Sequence, residues 1–292
     1  MPLPVKALPS WRQAAAALLA TVLCASLLLY WAGSRISAPR NHAIGAPPSD
    51  FPVQAVLFAD MHGWWVKARQ PNGHCVLLMH GVGADRTSML GRARWLETQG
   101  YSSLLFDFQA HGQSPGSRIT FGAREAGNAA AALAYLRASG QCRKVAAIGQ
   151  SLGGAASLLG EGPIPVDALV LEAVYPSIEQ AISNRLAIRL GEPGRLLTPL
   201  LARQIPLRLG IELEALQPIK AIRRLRAPLL IIAGGRDRHT PAAESRALFA
   251  NAPAPKAFWL IEDAAHVDFY AHAPQAYERR VLEFLSRSLQ AP

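Results

Sequence analysis

The chain has 292 residues, half of them hydrophobic, and a formal net charge of +10. This length suits one large α/β domain or two small ones, and the hydrophobic content excludes an intrinsically disordered chain. The basic balance comes without aromatic interleaving or a nucleic-acid-binding motif, so we expect no nucleic-acid partner.

The first 50 residues differ in composition from the rest. Residues 14–32 form an uncharged apolar run of 19 residues. A membrane-spanning helix needs about 20 such residues, whereas the apolar core of a signal peptide usually has about 7–15. Trp11, Tyr30 and Trp31 lie at the ends of the run, where aromatic side chains favour the lipid headgroup region. The run therefore predicts a transmembrane anchor that follows a short flank, 1–13, and a cleaved signal peptide is the alternative.

The charges beside this run give a weak signal for its orientation. Lys6, Arg12 and the amino terminus precede the run, and Arg35 and Arg40 follow it. Because positive charge favours the cytoplasmic side, the balance slightly favours an internal amino terminus. The rest of the chain is then expected on the outer or periplasmic side.

From residue 51 onward, short apolar runs alternate with longer amphipathic ones. Strands are predicted at 53–58, 64–68, 75–79, 102–106, 144–148, 168–171, 228–233 and 257–261. Helices are predicted at 87–99, 122–138, 152–159, 177–190, 242–249 and 274–289. This alternation is typical of a mostly parallel sheet covered on both faces, in which the first two strands could form an antiparallel edge pair. We therefore predict an α/β domain over 51–292 with an eight-stranded sheet, joined to the anchor by a Pro-, Ser- and Gly-rich linker, 33–50.

Residues 176–227 interrupt the alternation of strands and helices. This interval contains Leu-rich segments punctuated by proline, and it carries nine basic residues against four acidic ones. We expect a small helical lid over the strand ends, and a helix pair that packs on the sheet is the alternative. The basic side chains are interpreted either as solvated helix faces or as a surface that lies against anionic lipid.

One pentapeptide carries the main chemical signal, Gly149-Gln150-Ser151-Leu152-Gly153. It follows a predicted strand and precedes a predicted helix. A strand, a tight glycine-flanked turn and a helix expose a serine hydroxyl at the end of a strand. Ser151 is therefore the predicted nucleophile, and an ordinary turn serine is the alternative.

A serine hydroxyl needs a base to take its proton and a carboxylate to orient that base. Asp237 follows the strand predicted at 228–233, and His266 follows the strand predicted at 257–261. Both therefore lie in loops at the carboxyl edge of a parallel sheet, as Ser151 does. The chain order Ser, Asp, His is the one expected for an α/β-hydrolase.

The oxyanion formed in such a reaction needs two amide donors. The N–H of Leu152 directly follows the nucleophile. We expect the second donor in the loop 80–83, His-Gly-Val-Gly, which follows the strand predicted at 75–79.

With these elements in place, the chain resembles the α/β-hydrolase superfamily over residues 51–289, in particular the single-domain serine hydrolases related to serine aminopeptidases and monoacylglycerol lipases. The resemblance depends on five features in the family's order: His80-Gly81, the segment 107–114, Ser151, Asp237 and His266. It implies the family's fold, the Ser-His-Asp triad and Val82 as the second oxyanion amide. Gln109 and Ala110 depart from the usual Arg and Gly in a segment that the family uses mainly for structure, and Ala265 replaces a frequent Gly.

Other residues compete for these roles. His272 is the alternative base, although it falls at the start of the last predicted helix. Asp263 and Glu172 are the alternative acids, and Glu172 ends the strand after the pentapeptide, a known alternative position in the superfamily. The remaining candidates are expected to hold a loop or to lie near the site without reacting: His80, His111 and His239.

Cys75 and Cys142 lie at the starts of the two strands that lead to the site. In the resembled fold those strands are parallel neighbours, so the two sulfurs are implied to lie near one sheet edge. A disulfide needs Cα atoms within about 7 Å and would fit an oxidising compartment. We expect two unpaired thiols rather than a disulfide, and Cys24 belongs to the anchor.

Together these residues predict a membrane-anchored serine hydrolase that cleaves an acyl bond, most simply a carboxylic ester, through an acyl-enzyme. The apolar and basic lid suggests a small-molecule or lipid-like acyl substrate. Amide or peptide hydrolysis and acyl transfer need the same residues and remain alternatives, as does a non-catalytic membrane-anchored binding module. No His, Cys or Asp cluster has metal-ligand spacing, so we expect no metal and no cofactor.

Overall fold

The computed structural model describes residues 10–290, which form two compact units with a boundary after Ile36. The first unit contains one helix, α1 (Trp11–Ile36), of 26 residues, and none of its side chains is buried. At 1.5 Å per residue it is about 39 Å long, which exceeds the hydrocarbon thickness of a bilayer. With a mean hydropathy of 2.0, it is long and apolar enough to cross a membrane, as a signal sequence near an amino terminus also is.

The second unit begins at Ser37 and contains ten strands, ten α-helices and four 3-10 helices within the described residues. Its strands are β1 (Arg40–Asn41), β2 (Val53–Phe58), β3 (Met61–Val66), β4 (His74–Met79), β5 (Ser102–Phe106), β6 (His111–Gly112), β7 (Lys144–Gln150), β8 (Ala168–Glu172), β9 (Leu229–Gly234) and β10 (Lys256–Ile261). Its α-helices are α2 (Leu90–Thr98), α3 (Glu125–Ala138), α4 (Leu152–Leu158), α5 (Ile178–Leu190), α6 (Thr198–Ala202), α7 (Gln204–Leu209), α8 (Pro218–Ala221), α9 (Ala242–Asn251), α10 (Phe269–His272) and α11 (Pro274–Gln290). Short 3-10 helices cover Arg86–Met89, Glu192–Leu197, Leu213–Leu216 and Ile222–Arg224.

Eight strands form one sheet in the order β10-β9-β8-β7-β4-β5-β3-β2. The strands from β10 to β5 run parallel to their neighbours. β3 is antiparallel to β5 and β2 is antiparallel to β3, so the predicted edge pair is confirmed together with the fold class. Because the parallel strands end at one edge, the loops after β4, β7, β9 and β10 share that edge.

Apolar side chains alternate between the two faces of the sheet. In β4, Cys75 and Leu77 belong to a buried cluster that includes α3 and α4, whereas Val76 and Leu78 belong to a second cluster with α2 and α11. This period of two buries the sheet on both sides, as its apolar strands predict.

The segment predicted as a linker, 33–50, is not a free connection. Residues 33–36 complete α1, and the chain from Ser37 onward belongs to the second unit. β1 pairs in parallel with β6, and the N–H of Ile119 donates to the carbonyl oxygen of Ser37 at 2.9 Å. Proline-rich composition predicts an irregular backbone, but it does not show which distant backbone groups will accept its hydrogen bonds.

The insertion 176–227 is helical, as predicted, and contains α5 to α8. Its buried residues, such as Ile205 and Leu209, join the same core cluster as α3 and α4. Its outer surface keeps large apolar side chains in solvent, among them Leu196 at 81% and Leu207 at 85% exposure. The insertion therefore has an apolar surface of its own besides the one that packs on the domain.

A disulfide joins Cys75 and Cys142, whose Cα atoms are 5.4 Å apart, so the expectation of two unpaired thiols is wrong. The reason lies in the strand register, where Cys75 of β4 is opposite Val145 of β7. The pairing continues beyond the strands, because the N–H of Arg143 donates to the carbonyl oxygen of Gly73 at 2.8 Å. This continued pairing brings the Cα atom of Cys142 within bonding range.

Reduction of this disulfide is expected to lower the free energy of unfolding by about 2–4 kcal/mol, because it opens a loop. The two cysteines are separated by 67 residues. Denaturant melts of the full chain in detergent, with and without dithiothreitol, measure the change. Cys24→Ser is the control, since it removes the free cysteine and leaves the disulfide. An unchanged melt, with both thiols proven to be reduced, would contradict this prediction.

Candidate active site

Ser151 lies on the turn between β7 and α4. Its φ of 47° and ψ of −105° place a non-glycine residue in a strained part of backbone space. Its N–H donates to the carbonyl oxygen of Glu172 at the end of β8, at 2.8 Å. The neighbouring strand therefore holds the turn in this conformation.

Two glycines of the pentapeptide allow the turn to form. A Cβ on Gly149 would lie 2.6 Å from the backbone nitrogen of Gly154. A Cβ on Gly153 would overlap the carbonyl oxygen of Met79 in β4. A side chain at either position would force α4 away from the strands, so both positions require glycine.

The loop after β4 lies beside Ser151. A Cβ placed on Gly81 would be 3.7 Å from the Cβ of Ser151. Within residues 10–290, no protein group accepts a hydrogen bond from the backbone N–H of Val82 or of Leu152. The two amides predicted as oxyanion donors are therefore both available for a ligand.

His80 holds this loop in place. It is fully buried, its Nδ1 lies 2.8 Å from the carbonyl oxygen of Gly81, and its Nε2 accepts from the N–H of Phe108 at 3.0 Å. Burial, and then the electrostatic effect of the neighbouring His111, lower the pKa of His80 to about 3. The ring is therefore neutral at ordinary pH and acts as a structural link between two loops.

Asp237 and His266 form a hydrogen-bonded pair at this sheet edge. His266 Nδ1 lies 2.7 Å from Asp237 Oδ2, which also accepts from the Thr240 hydroxyl at 2.6 Å. The N–H groups of His239 and Thr240 donate to Asp237 Oδ1 at 2.7 and 2.9 Å. Burial opposes ionisation of Asp237, but the bonds from His266 and Thr240 outweigh it and hold its pKa below the usual value. Asp237 is therefore a carboxylate that can fix the tautomer of the imidazole.

Ser151 and His266 are not hydrogen-bonded to each other. Within residues 10–290, the Oγ of Ser151 and the Nε2 of His266 form no hydrogen bond with any protein group. Catalytic hydrogen bonds are often long in the free enzyme and tighten in the complex with substrate. The predicted acid and base are thus hydrogen-bonded to each other. The predicted nucleophile lies at the same sheet edge but forms no hydrogen bond with the base.

The alternative acids and the alternative base are engaged elsewhere. Asp263 pairs with His272 at 3.2 Å, so two of these alternatives bind each other. Glu172 is fully buried in an ion pair with Arg92. Within the described part of the chain, none of these residues forms a hydrogen bond with His266.

Two further histidines lie near these groups. The ring centroids of His239 and His266 are 5.0 Å apart, and those of His111 and His80 are 5.1 Å apart. Burial is the main cause that lowers the pKa of both His239 and His111. Residues 10–290 contain no group of three His, Cys, Asp or Glu side chains that could hold a metal ion.

The segment 107–114 has a structural role, as the resemblance implies. The carboxylate of Asp107 pairs with the Arg86 guanidinium and accepts from the N–H groups of Arg86 and Gln113 at 2.8 and 2.9 Å. Burial raises the pKa of Asp107. Ala110, which stands where the family usually has glycine, has a φ of 59°, a conformation that favours glycine.

Arg92 is a supporting residue that the sequence did not reveal. It lies fully buried in α2, with Nη2 at 2.6 Å from Glu172 Oε2 and at 2.7 Å from Asp268 Oδ1. Burial alone would lower the pKa of Arg92, but the charges of Glu172 and Asp268 raise it well above its usual value. The backbone carbonyl oxygen of Glu172 accepts a hydrogen bond from the N–H of Ser151. Asp268 follows His266 by two residues in the chain. One guanidinium therefore links the turn that carries Ser151 to the loop that carries His266.

Comparisons with known proteins show the family of this fold. The chain matches the model of the alpha/beta hydrolase family over residues 76–280. It is 33% identical over 215 residues to the uncharacterized protein Rv2307c of Mycobacterium tuberculosis, and the alignment covers 72% of this chain and 67% of that protein. It is 23% identical over 239 residues to the uncharacterized protein YqkD of Bacillus subtilis, and the alignment covers 80% of this chain and 78% of that protein.

A solved structure shares the fold at low sequence identity. The esterase Pf2001 of Pyrococcus furiosus superposes with a TM-score of 0.71 and 21% identity, covering 87% of this chain and 98% of its own. The match to the family model extends over more than half of the sequence. The chain therefore belongs to the alpha/beta hydrolase family.

Arg92→Met is expected to lower the free energy of unfolding by about 3–5 kcal/mol, because it leaves the Glu172 carboxylate buried without its counter-ion, with the Tyr277 hydroxyl still donating to it. Arg94→Met is the matched control in the same helix, since its pair with Asp50 is exposed to solvent and its loss should leave the melt almost unchanged. Adding Glu172→Leu to Arg92→Met should recover part of the loss. Urea melts of the wild type and these three variants measure the changes, and equal melts for the two single arginine variants would refute the prediction.

Proposed function

We propose that this protein is a serine hydrolase that cleaves an acyl bond, with Ser151 as nucleophile, His266 as base and Asp237 as the orienting acid. The observation that carries the proposal is the 2.7 Å bond between Asp237 and His266 at the edge where a strained turn presents Ser151. The unpaired amides of Val82 and Leu152 beside that turn support it as oxyanion donors.

In the acylation step, His266 Nε2 takes the proton of Ser151 as Oγ attacks the carbonyl carbon of the substrate. Asp237 stabilises the imidazolium that forms, and the two backbone amides bind the developing oxyanion. The tetrahedral intermediate then expels the leaving group, which takes the proton from His266. The enzyme is left acylated on Ser151.

In the deacylation step, His266 takes a proton from water while the water oxygen attacks the acyl carbonyl. The second tetrahedral intermediate expels the oxygen of Ser151, which recovers its proton from His266. An ester thus gives a carboxylic acid and an alcohol. Esters are the substrate class we propose, because an alcohol leaves with less protonation than an amine.

The exposed leucines of the insertion support an amphiphilic, small-molecule or lipid-like acyl substrate. Amide or peptide hydrolysis and acyl transfer differ only in the leaving group or the acceptor, so the same residues would serve them. A non-catalytic binding module is the second candidate from another class, and it would explain why Ser151 and His266 are not bonded.

Ser151→Ala is expected to reduce kcat for 4-nitrophenyl esters by a factor on the order of 10⁶, or to the assay floor, because the nucleophile is lost. The assay uses the full chain in detergent and an acyl series from acetyl to palmitoyl. Ser157→Ala is the matched control, since Ser157 lies in α4 and donates to the carbonyl oxygen of Gly154. Turnover or phosphonate labelling that survives in Ser151→Ala would remove the nucleophile assignment, and absence of both in a folded wild-type chain would favour the binding module.

We also propose that α1 is a permanent membrane anchor and that the hydrolase domain lies on the outer or periplasmic side. The 26-residue helix supports the anchor, and the Cys75–Cys142 disulfide supports an oxidising compartment. The basic residues that precede the apolar run favour the same orientation weakly.

In a bacterial host, the full chain is expected to stay in carbonate-washed membranes with its amino terminus intact, and Cys75 and Cys142 should react with a maleimide only after reduction. Leu19→Arg combined with Leu23→Arg should release it, since each arginine costs about 2.5–3.5 kcal/mol at the centre of a spanning helix. A mature chain that starts after α1 would show a cleaved signal peptide. Thiols that react without reduction would place the domain in the cytoplasm.

A further inference from the structure

The insertion exposes more large apolar side chains than the rest of the second unit. Within residues 37–290, seven such side chains are exposed to solvent. Four of them lie in the insertion: Leu190, Leu196, Leu200 and Leu207. The other three come from three separate segments: Leu57, Val82 and Val267. Single exposed apolar residues are common on protein surfaces, but a group of them marks a surface that contacts a partner or a membrane.

Three of these leucines follow one line along a short helical run. α6 and α7 are joined by Arg203, whose φ of −60° and ψ of −17° are helical. The N–H of Arg203 donates to the carbonyl oxygen of Pro199 at 3.1 Å, so the helical bonding continues through the junction. At 3.6 residues per turn, Leu200, Arg203 and Leu207 lie on one side of this run. Leu196, in the 3-10 helix just before α6, precedes Leu200 by four residues. We call this side the leucine face, with members Leu196, Leu200, Arg203 and Leu207.

The opposite side of the run packs on the domain. Leu201, Ile205 and Leu209 recur every four residues there and are buried. A helix at the surface of a globular protein normally carries polar side chains opposite its buried side. The leucine face carries mostly leucines instead, so packing within this chain does not account for them.

The segment that carries the leucine face is positively charged. Residues 193–211 contain three arginines and no acidic residue. Arg203 is exposed and lies between Leu200 and Leu207 on the leucine face. This combination is typical of helices that lie in the headgroup region of a bilayer, because the leucines enter the lipid while the guanidinium remains among the phosphates.

A second copy of this chain is a poorer match for the leucine face. A two-fold dimer brings the same patch of both copies together, so the arginines of one face would lie against those of the other. Residues 193–211 offer no carboxylate to neutralise them. An anionic lipid surface, in contrast, supplies apolar and negatively charged groups together.

The connection to α1 keeps lipid within reach of the domain. Ser37 directly follows α1, and its carbonyl oxygen accepts from the N–H of Ile119. An α1 that spans a membrane therefore holds the domain close to the lipid surface. One tether leaves the orientation of the domain free, and a second contact with lipid would fix it.

We propose that the leucine face is a docking surface for a membrane that contains anionic phospholipid, and that it fixes the orientation of the domain on the bilayer. Its leucines enter the headgroup region, and Arg203 binds lipid phosphate. This contact rests on the proposed anchor and does not depend on the proposed catalysis by Ser151.

The test uses the full chain in lipid nanodiscs with one fluorescent label. Cys24 is the free cysteine and the other two form the disulfide, so Cys24→Ser combined with Leu207→Cys has a single reactive thiol. With phosphatidylglycerol in the nanodisc, a nitrobenzoxadiazole label at position 207 should be quenched by doxyl-labelled lipid and shielded from iodide. Arg279→Cys is the control position, since Arg279 is exposed on α11, which packs on the other face of the sheet. A label there should stay open to iodide.

The contribution of charge is tested with the label at position 207. Arg203→Glu replaces a positive charge by a negative one, and each such charge near an anionic surface changes binding about fivefold. The ratio of lipid-quenched to iodide-accessible label should therefore fall about 20- to 30-fold. Arg279→Glu is the matched control with the same change in net charge, and it should alter the ratio less than about twofold, because salt screens distant charges.

Three results would overturn the docking surface. Iodide could reach the label at position 207 as readily as the label at position 279. The label at position 207 could be shielded from iodide without quenching by lipid, which would show that protein covers the leucine face. The ratio could stay unchanged in Arg203→Glu, or fall equally in Arg279→Glu, which would remove anionic lipid as the occupant.

Failure of the anchor would be recognised separately. The wild-type chain labelled at Cys24 reports whether α1 lies in lipid. Quenching by lipid at Cys24 with none at position 207 would keep the anchor and reject the leucine face. No quenching at Cys24 would refute the anchor, and phosphatidylglycerol vesicles must then quench the label at position 207 for the docking surface to stand. Neither readout involves hydrolysis, so failure of the proposed catalysis does not affect the test.

Discussion

The buried contact between the Arg92 guanidinium and the Glu172 carboxylate is the interaction on which the site depends most. Glu172 accepts the N–H of Ser151 through its backbone, so the side-chain pair holds the strand end behind the turn. The same guanidinium binds Asp268, close to His266. Burying these charges is tolerable only because each meets its partner, and the pairing couples α2, β8 and the loop after β10. Residues outside the proposed triad therefore hold both the turn that carries Ser151 and the loop that carries His266.

The disulfide acts on the same region from the opposite end of the sheet. Cys75 is the second residue of β4, which leads to the loop 80–83, and Cys142 precedes β7, which leads to Ser151. The bond thus ties together the two central strands that deliver the amides and the hydroxyl. An oxidising compartment would keep it formed, which agrees with the proposed location of the domain outside the cytoplasm.

Much of the fold was predictable because it follows from local patterns. Short apolar runs predicted the strands, and the glycines of the pentapeptide predicted the tight turn at Ser151. In the structure, a side chain at Gly153 would collide with β4. The order of Ser151, Asp237 and His266 along parallel strands then predicted that they share one edge. The structure joins Asp237 to His266 but leaves Ser151 without a hydrogen bond to either, because loop conformation is not encoded in strand order.

By itself, the sequence determined the sheet, the turn and the residue types at the strand ends, because each depends on neighbours in the chain. Only the tertiary structure decided which distant groups meet. It paired Arg92 with a glutamate 80 residues away, bonded Cys75 to a cysteine 67 residues away, and attached the segment 37–50 to the domain. Such contacts depend on how separate helices and loops pack, and a local pattern does not record that packing.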